Sequence, residues 1–152
     1  MNADSTHDDS PARSPRVLVV ISVLIGLTVT RSFALAFVPK LSMFGGAAPD
    51  AWLSPWITDA ALGVMIPVVI IAVHKLRGAW VWGGLLVYNT LGAFDYANGL
   101  VTQWLHPLPA SIAAPSVVVG SICFTLTLQL MGLGLLFRRD VVAHYLGVTP
   151  CK

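Results

Sequence analysis

Long runs of apolar residues, separated by short polar segments, make up most of the chain. These runs cover residues 17–38, 56–73, 80–101 and 112–137. A helix that crosses the hydrocarbon core of a bilayer needs about 20 predominantly apolar residues. The pattern therefore predicts an all-α integral membrane four-helix bundle.

Polar segments define the organisation around these runs. Residues 1–16 are rich in Ser, Pro and Asp, a composition typical of disorder. We expect a disordered cytoplasmic tail at 1–16, a four-span transmembrane domain at 17–137 and a short cytoplasmic tail at 138–152. Ser54 and Pro55 fit the N-cap and the first helical position, which predicts that the second helix begins there.

The first run also has features of a secretory signal peptide. Arg13 and Arg16 precede it, and residues 34–36 imitate a cleavage site. Apolar residues nevertheless continue to Val38, which makes the run long enough to span a membrane. We favour a retained helix, and cleavage near Phe37 stays the alternative.

The composition agrees with a membrane protein. Hydrophobic residues make up 56% of the chain and charged residues 11%, whereas a typical soluble domain has about 25% charged residues. A net charge of +2 gives no basic patch of the kind that binds nucleic acid. We expect the lipid bilayer as the main partner, with a homo-oligomer or another membrane protein as further partners and no nucleic acid.

The basic residues predict the orientation. In a four-span arrangement one side carries Arg13, Arg16, Lys75, Arg77, Arg138, Arg139 and Lys152, and the other side carries Lys40. By the positive-inside rule the N- and C-termini are then both cytoplasmic. The tryptophans fit this topology, because Trp52, Trp56 and Trp104 fall at the outer boundary and Trp80 and Trp82 at the inner one.

Charged residues occur where the apolar runs should cross lipid. Arg31 and Asp95 each lie about 14–15 residues from the inner end of their span, roughly 21–22 Å at the rise of an α-helix. Asp59 is about one turn inside the outer start of the second span. Since an unpaired charge in lipid costs several kcal/mol, we expect Arg31 to contact Asp95, with Asp59 nearby.

Two interpretations of these charges stay open. In the structural one, Arg31 neutralises Asp95 and joins two helices, and Asp59 is stabilised by a helix dipole. In the functional one, the second aspartate is only partly compensated and binds a proton or a cation. Asn89 and Gln129 lie on polar or small-residue faces of the third and fourth spans. The candidate intramembrane polar cluster is therefore Arg31, Asp59, Asn89, Asp95 and Gln129.

Motifs for enzymatic chemistry are absent from the sequence. It contains no HExxH, GxSxG or P-loop pattern. His74 and His106 fall at opposite ends of the predicted bundle, so they cannot share a haem. We expect no enzymatic activity, no cofactor and no metal.

Three groups of residues carry a resemblance to a known family. They are Asp59 with Gly63 and Pro67, Asn89-x-x-Gly92-x-x-Asp95, and the prolines 107, 109 and 115. Over about residues 52–137 the chain resembles an uncharacterised group of small bacterial multi-pass integral membrane proteins. The resemblance implies a bacterial inner (plasma) membrane location and attaches no activity. We expect a non-enzymatic accessory or oligomeric membrane component; the alternative is a proton- or ion-linked small-solute transporter or channel.

Overall fold

The computed structural model describes residues 16–147, and over this range the chain is all-helical. We number its helices in chain order. They are α1 (Arg16–Phe44), α2 (Asp50–Lys75), α3 (Ala79–Leu105), α4 (Pro115–Leu136) and α5 (Arg139–Leu146).

Helix α1 changes its winding along its length. It is α-helical over Arg16–Leu27, Ala34–Phe37 and Leu41–Phe44, and it tightens to 3-10 geometry over Thr28–Phe33 and Val38–Lys40. A stretch of 3-10 geometry inside a helix often marks a functional or strained position. Here the first such stretch contains Arg31, so the change of winding occurs where the helix carries its buried charge.

Three of the helices in the described range, α1, α2 and α4, are long and apolar enough to cross a membrane. Helix α3 has 27 residues, but Asn89, Asp95 and Gln103 lower its hydropathy. These polar residues are buried, whereas the opposite face of α3 exposes Val87, Phe94 and other large apolar side chains. The distribution is the inverse of that on a water-exposed amphipathic helix.

The long helices pack as sequential neighbours, α1 on α2, α2 on α3 and α3 on α4, and α4 also contacts α1. One end of this assembly, which we call the basic end, carries the exposed residues Arg16, Lys75, Arg77, Arg138 and Arg139. The other, the loop end, is formed by the α1–α2 and α3–α4 connections. There the indole nitrogen of Trp52 donates to the His106 carbonyl over 2.9 Å.

The predicted start of the second helix is wrong. Helix α2 begins at Asp50, and Pro55 lies inside it together with Pro67. Pro55 is the sixth residue of the helix and has no amide proton to donate to the Ala51 carbonyl, so α2 continues through this position with one hydrogen bond fewer. The loop preceding α2 turns at Gly46, which has a φ of 71°, so the helix starts directly after that turn.

A fifth helix lies within the segment predicted as a short tail. In α5, Val141 and Tyr145 are buried against the basic end. The Tyr145 hydroxyl donates to the Val73 carbonyl over 2.9 Å, and the Gly78 amide donates to the Tyr145 carbonyl. These bonds attach α5 to the α2–α3 hairpin.

Candidate functional site

Arg31 is the centre of a buried ionic cluster. Its Nε donates to Asp59 Oδ1 over 2.9 Å, and its Nη2 donates to Asp95 Oδ2 over 3.3 Å. The Arg31 side chain is completely buried, that of Asp95 is 4% exposed and that of Asp59 is 23% exposed. A guanidinium can make both contacts at once because its five donors project in a fixed planar fork.

The three charges come from three helices. Arg31 lies on the 3-10 turn of α1, Asp59 on α2 and Asp95 on α3. Close approach of α1 and α2 is possible because Gly63 faces Ser32; a Cβ at position 63 would be 2.8 Å from the Ser32 backbone. The cluster therefore joins three helices at one height.

Asn89 and Gln129 lie beside the ionic cluster, on its basic-end side. Gln129 is 2% exposed, and its side chain approaches Gly92, as does Nη1 of Arg31. The amide of Asn89 donates to the Leu85 carbonyl, and its Oδ1 faces Gly132. The structure thus brings Arg31, Asp59 and Asp95 into direct contact and places Gln129 and Asn89 beside them at the α3–α4 interface.

Several polar atoms of this cluster have no hydrogen-bond partner within residues 16–147. They are Nη1 of Arg31 and both polar atoms of the Gln129 side-chain amide. A buried polar atom without a partner costs about 1–3 kcal/mol. The cluster therefore has unused hydrogen-bonding capacity next to its charges.

Two small cavities reach the carboxylates. One, of about 150 Å³, extends from Trp52 and Leu108 at the loop end to Asp59 and Asp95. The other, of about 170 Å³, is lined by Arg31, Asp59 and polar residues of α1 and α4. Asp59 lines both cavities, which explains why it is the most exposed member of the ionic cluster.

Towards the basic end the interior is closed by apolar side chains. Leu18, Ile21, Val73 and Leu136 have no exposed surface, and they belong to one continuous core. A water-filled passage needs polar groups that replace lost hydrogen bonds. The cavities beside the carboxylates thus lie in the loop-end half, and the apolar core separates the charges from the basic end.

Tyr96 belongs to the site although the sequence analysis did not assign it there. Its ring lies 4.6 Å from the Arg31 guanidinium carbon, which is within the range of a cation–π interaction. The sequence could have indicated this position, because Tyr96 follows Gly92 by four residues and Asn89 by seven. At these spacings the three residues share one face of a helix. Thr125 and Ser121 on α4 complete the wall of one cavity.

Groups that could bind a metal through three or more His, Cys, Asp or Glu side chains are absent from residues 16–147. His74 is instead hydrogen-bonded to Ser22 over 2.8 Å near the basic end. No protein-family model, curated protein or solved structure matches this chain.

Proposed function

We propose that the protein is a multi-pass inner-membrane protein, a four-helix bundle of α1 to α4 with both termini in the cytoplasm. The length and apolar character of α1, α2 and α4 support the bundle. Helix α3 is included because its exposed face is apolar and its polar residues are buried. The basic end is then the cytoplasmic end.

Within this bundle we propose that the ionic cluster binds a proton or a small monovalent cation, as part of ion-linked movement of a small solute. One observation carries the proposal: Asp59 and Asp95 share a single arginine, and both line a cavity. With both carboxylates ionised the cluster has one uncompensated negative charge. Such a charge inside a membrane is costly unless a positive ion balances it.

The cavities give the proposed ion a route to the cluster. The cavity that Trp52 and Leu108 line at the loop end reaches Asp59 and Asp95, and a small movement of the Trp52 side chain would admit an ion without its crossing the apolar core. The apolar core between the cluster and the basic end, which is the proposed cytoplasmic side, favours a carrier over a continuous pore. The geometry therefore supports a carrier that is open to the outside, rather than an open channel.

A non-enzymatic accessory role is the second candidate. It is favoured by the direct contacts of Arg31 with both carboxylates and by the complete burial of its side chain. Under this proposal the cluster only fixes the positions of α1, α2 and α3, and the exposed apolar faces contact other membrane proteins or further copies of the chain.

An ion-exchange assay in liposomes separates the two candidates. Purified protein is reconstituted with a pH-sensitive dye inside, and a sodium or potassium gradient is imposed. We expect a change of internal pH with the unaltered protein and with Asp50→Asn, a matched variant at an exposed aspartate, and none with Asp59→Asn. The absence of any change with the unaltered protein would favour the accessory role.

A further inference from the structure

The outer surfaces of α2 and α3 form an apolar groove of about 470 Å³. It runs from the middle of both helices to the basic end, and none of its lining residues carries a charge. Met65, Val68 and Leu76 line one wall, and Trp80, Val87 and Leu91 the other. The ring of Trp80 is 94% exposed, so a large aromatic side chain stands free at the mouth of the groove.

Two basic residues are the chain neighbours of Leu76, which lines the groove at this end. They are Lys75 and Arg77; both are exposed, and neither forms an ion pair with another residue of 16–147. The acidic residue of α5, Asp140, is already engaged, because two hydrogen bonds from Arg138 lower the pKa of its carboxyl. Arg77 also lies near His144 and Tyr145 of α5, and neither of these supplies a negative charge to it. Both cations are therefore available to an anion.

We propose that the groove binds an anionic phospholipid. One acyl chain lies in the groove between α2 and α3, and the phosphate group lies against Lys75 and Arg77. Basic residues next to a gap between membrane helices bind anionic headgroups by charge attraction, and a tryptophan is favoured at the headgroup level. The inference rests on the membrane placement proposed above, but not on ion binding at the polar cluster.

A second copy of the chain fits this groove less well than a lipid does. In a two-fold symmetric contact each surface meets its own equivalent. Lys75 and Arg77 of the two copies would then approach one another, and like charges that face each other oppose association. Charge complementarity thus favours an anionic lipid over self-association.

The test compares two lipids that share the same acyl chains, phosphatidylglycerol and phosphatidylcholine, added to the full-length protein in detergent. We expect phosphatidylglycerol to raise the melting temperature more than phosphatidylcholine does, and one phosphatidylglycerol per chain to remain bound in native mass spectrometry. The double variant Lys75→Gln/Arg77→Gln should respond equally to both lipids. Gly84→Leu should respond weakly to both lipids, because the leucine side chain would occupy the groove. A Cβ at position 84 has no other atom within 4 Å, so the substitution causes no clash next to the backbone.

Matched variants outside the groove serve as controls. Gly134→Leu adds the same side chain at an open position of α4, and Arg139→Gln removes a charge at the same end; both should keep the preference for phosphatidylglycerol. Equal responses of the unaltered protein to the two lipids would overturn the proposal. A dimer that Gly84→Leu converts to a monomer would also overturn it, because the groove would then be occupied by a second copy.

Discussion

Arg31 determines the arrangement of the interior polar residues. Its guanidinium contacts carboxylates on two other helices and lies under the ring of Tyr96. A lysine could not replace it, because an ammonium group lacks the planar fork that reaches Asp59 and Asp95 at once. Desolvation of such a group is costly, so its partners decide whether the fold tolerates it.

Removal of both partners should therefore cost less than the sum of the two single losses. We expect Arg31→Ala and Asp95→Asn each to lower the free energy of unfolding by about 3–5 kcal/mol. The double variant should recover part of the summed loss, as measured by denaturation in detergent. Strictly additive losses would contradict a direct interaction. Arg138→Ala is the control, since its exposed pair with Asp140 contributes little.

The depth of the charged residues could be predicted from the sequence, but their partners could not. Counting residues from the span ends places Arg31, Asp59 and Asp95 at comparable heights. It does not give the rotation of each helix about its axis. The sequence therefore indicated Asp95 as the main partner of Arg31, whereas the shorter contact in the structure is with Asp59, at 2.9 Å against 3.3 Å.

At the scale of helices, close contact between α1 and α2 holds the cluster together. Gly63 allows the backbone of α1 to approach at Ser32. The tightened winding of Thr28–Phe33 occurs at the same height. Neither feature could be predicted from hydrophobic periodicity. Both depend on which residues of α1 and α2 face each other, and periodicity does not give that pairing. The lengths of the apolar runs did predict where the long helices lie.

Gly63→Ala should separate α1 from α2. Its Cβ would lie 2.8 Å from backbone atoms of Ser32, which cannot move as a flexible side chain can. We expect a loss of about 1–3 kcal/mol in unfolding free energy. Gly84→Ala, at an open position of α3, should be neutral or stabilising by up to about 1 kcal/mol. Equal stability of the two variants would contradict the close contact.

The docking of α5 should depend on pH. Burial, and then the nearby charge of Arg77, lower the pKa of His144 from its ordinary value of 6.5. Protonation is thus easier when α5 is detached, so docking is strongest above about pH 6.5 and weakens as the pH falls below this value. Hydrogen exchange of Arg139–Leu146, corrected for the intrinsic rate, should accelerate in acid. His144→Gln should reduce this dependence; an unchanged dependence would exclude His144 as its cause.

At the scale of the molecule, charge is segregated between two ends. Exposed Arg16, Lys75, Arg77, Arg138 and Arg139 gather at the basic end, whereas the loop end carries exposed Lys40 and the ionic cluster lies in its half of the molecule. The composition and the four apolar runs were sufficient to predict the all-helical fold of residues 16–147. They could not predict α5, because its eight residues are too short and too polar to give a span signal.

The proposed topology can be tested with reporter fusions. We expect a cytoplasmic reporter to be active at both termini, and a periplasmic reporter to be active after Gly46 and after His106. The physical reason is the excess of Lys and Arg at the basic end. A periplasmic C-terminus would contradict the four-span arrangement, and a mature N-terminus near Phe37 would show cleavage of the first span.

The central claim is that one carboxylate of the ionic cluster takes up a proton or a cation. Infrared difference spectroscopy measures this directly, since a protonated carboxylic acid has a C=O band that a carboxylate lacks. An aspartate in water has a pKa of about 3.9 and is ionised above about pH 5, so a band seen above that pH belongs to a carboxyl in a special environment. In a buffer without small cations at pH above about 5, we expect this band in the unaltered protein and in Asp50→Asn, its loss in Asp59→Asn and Asp95→Asn, and its suppression by sodium or potassium. A folded protein without the band in this pH range and without a response to cations would contradict the account.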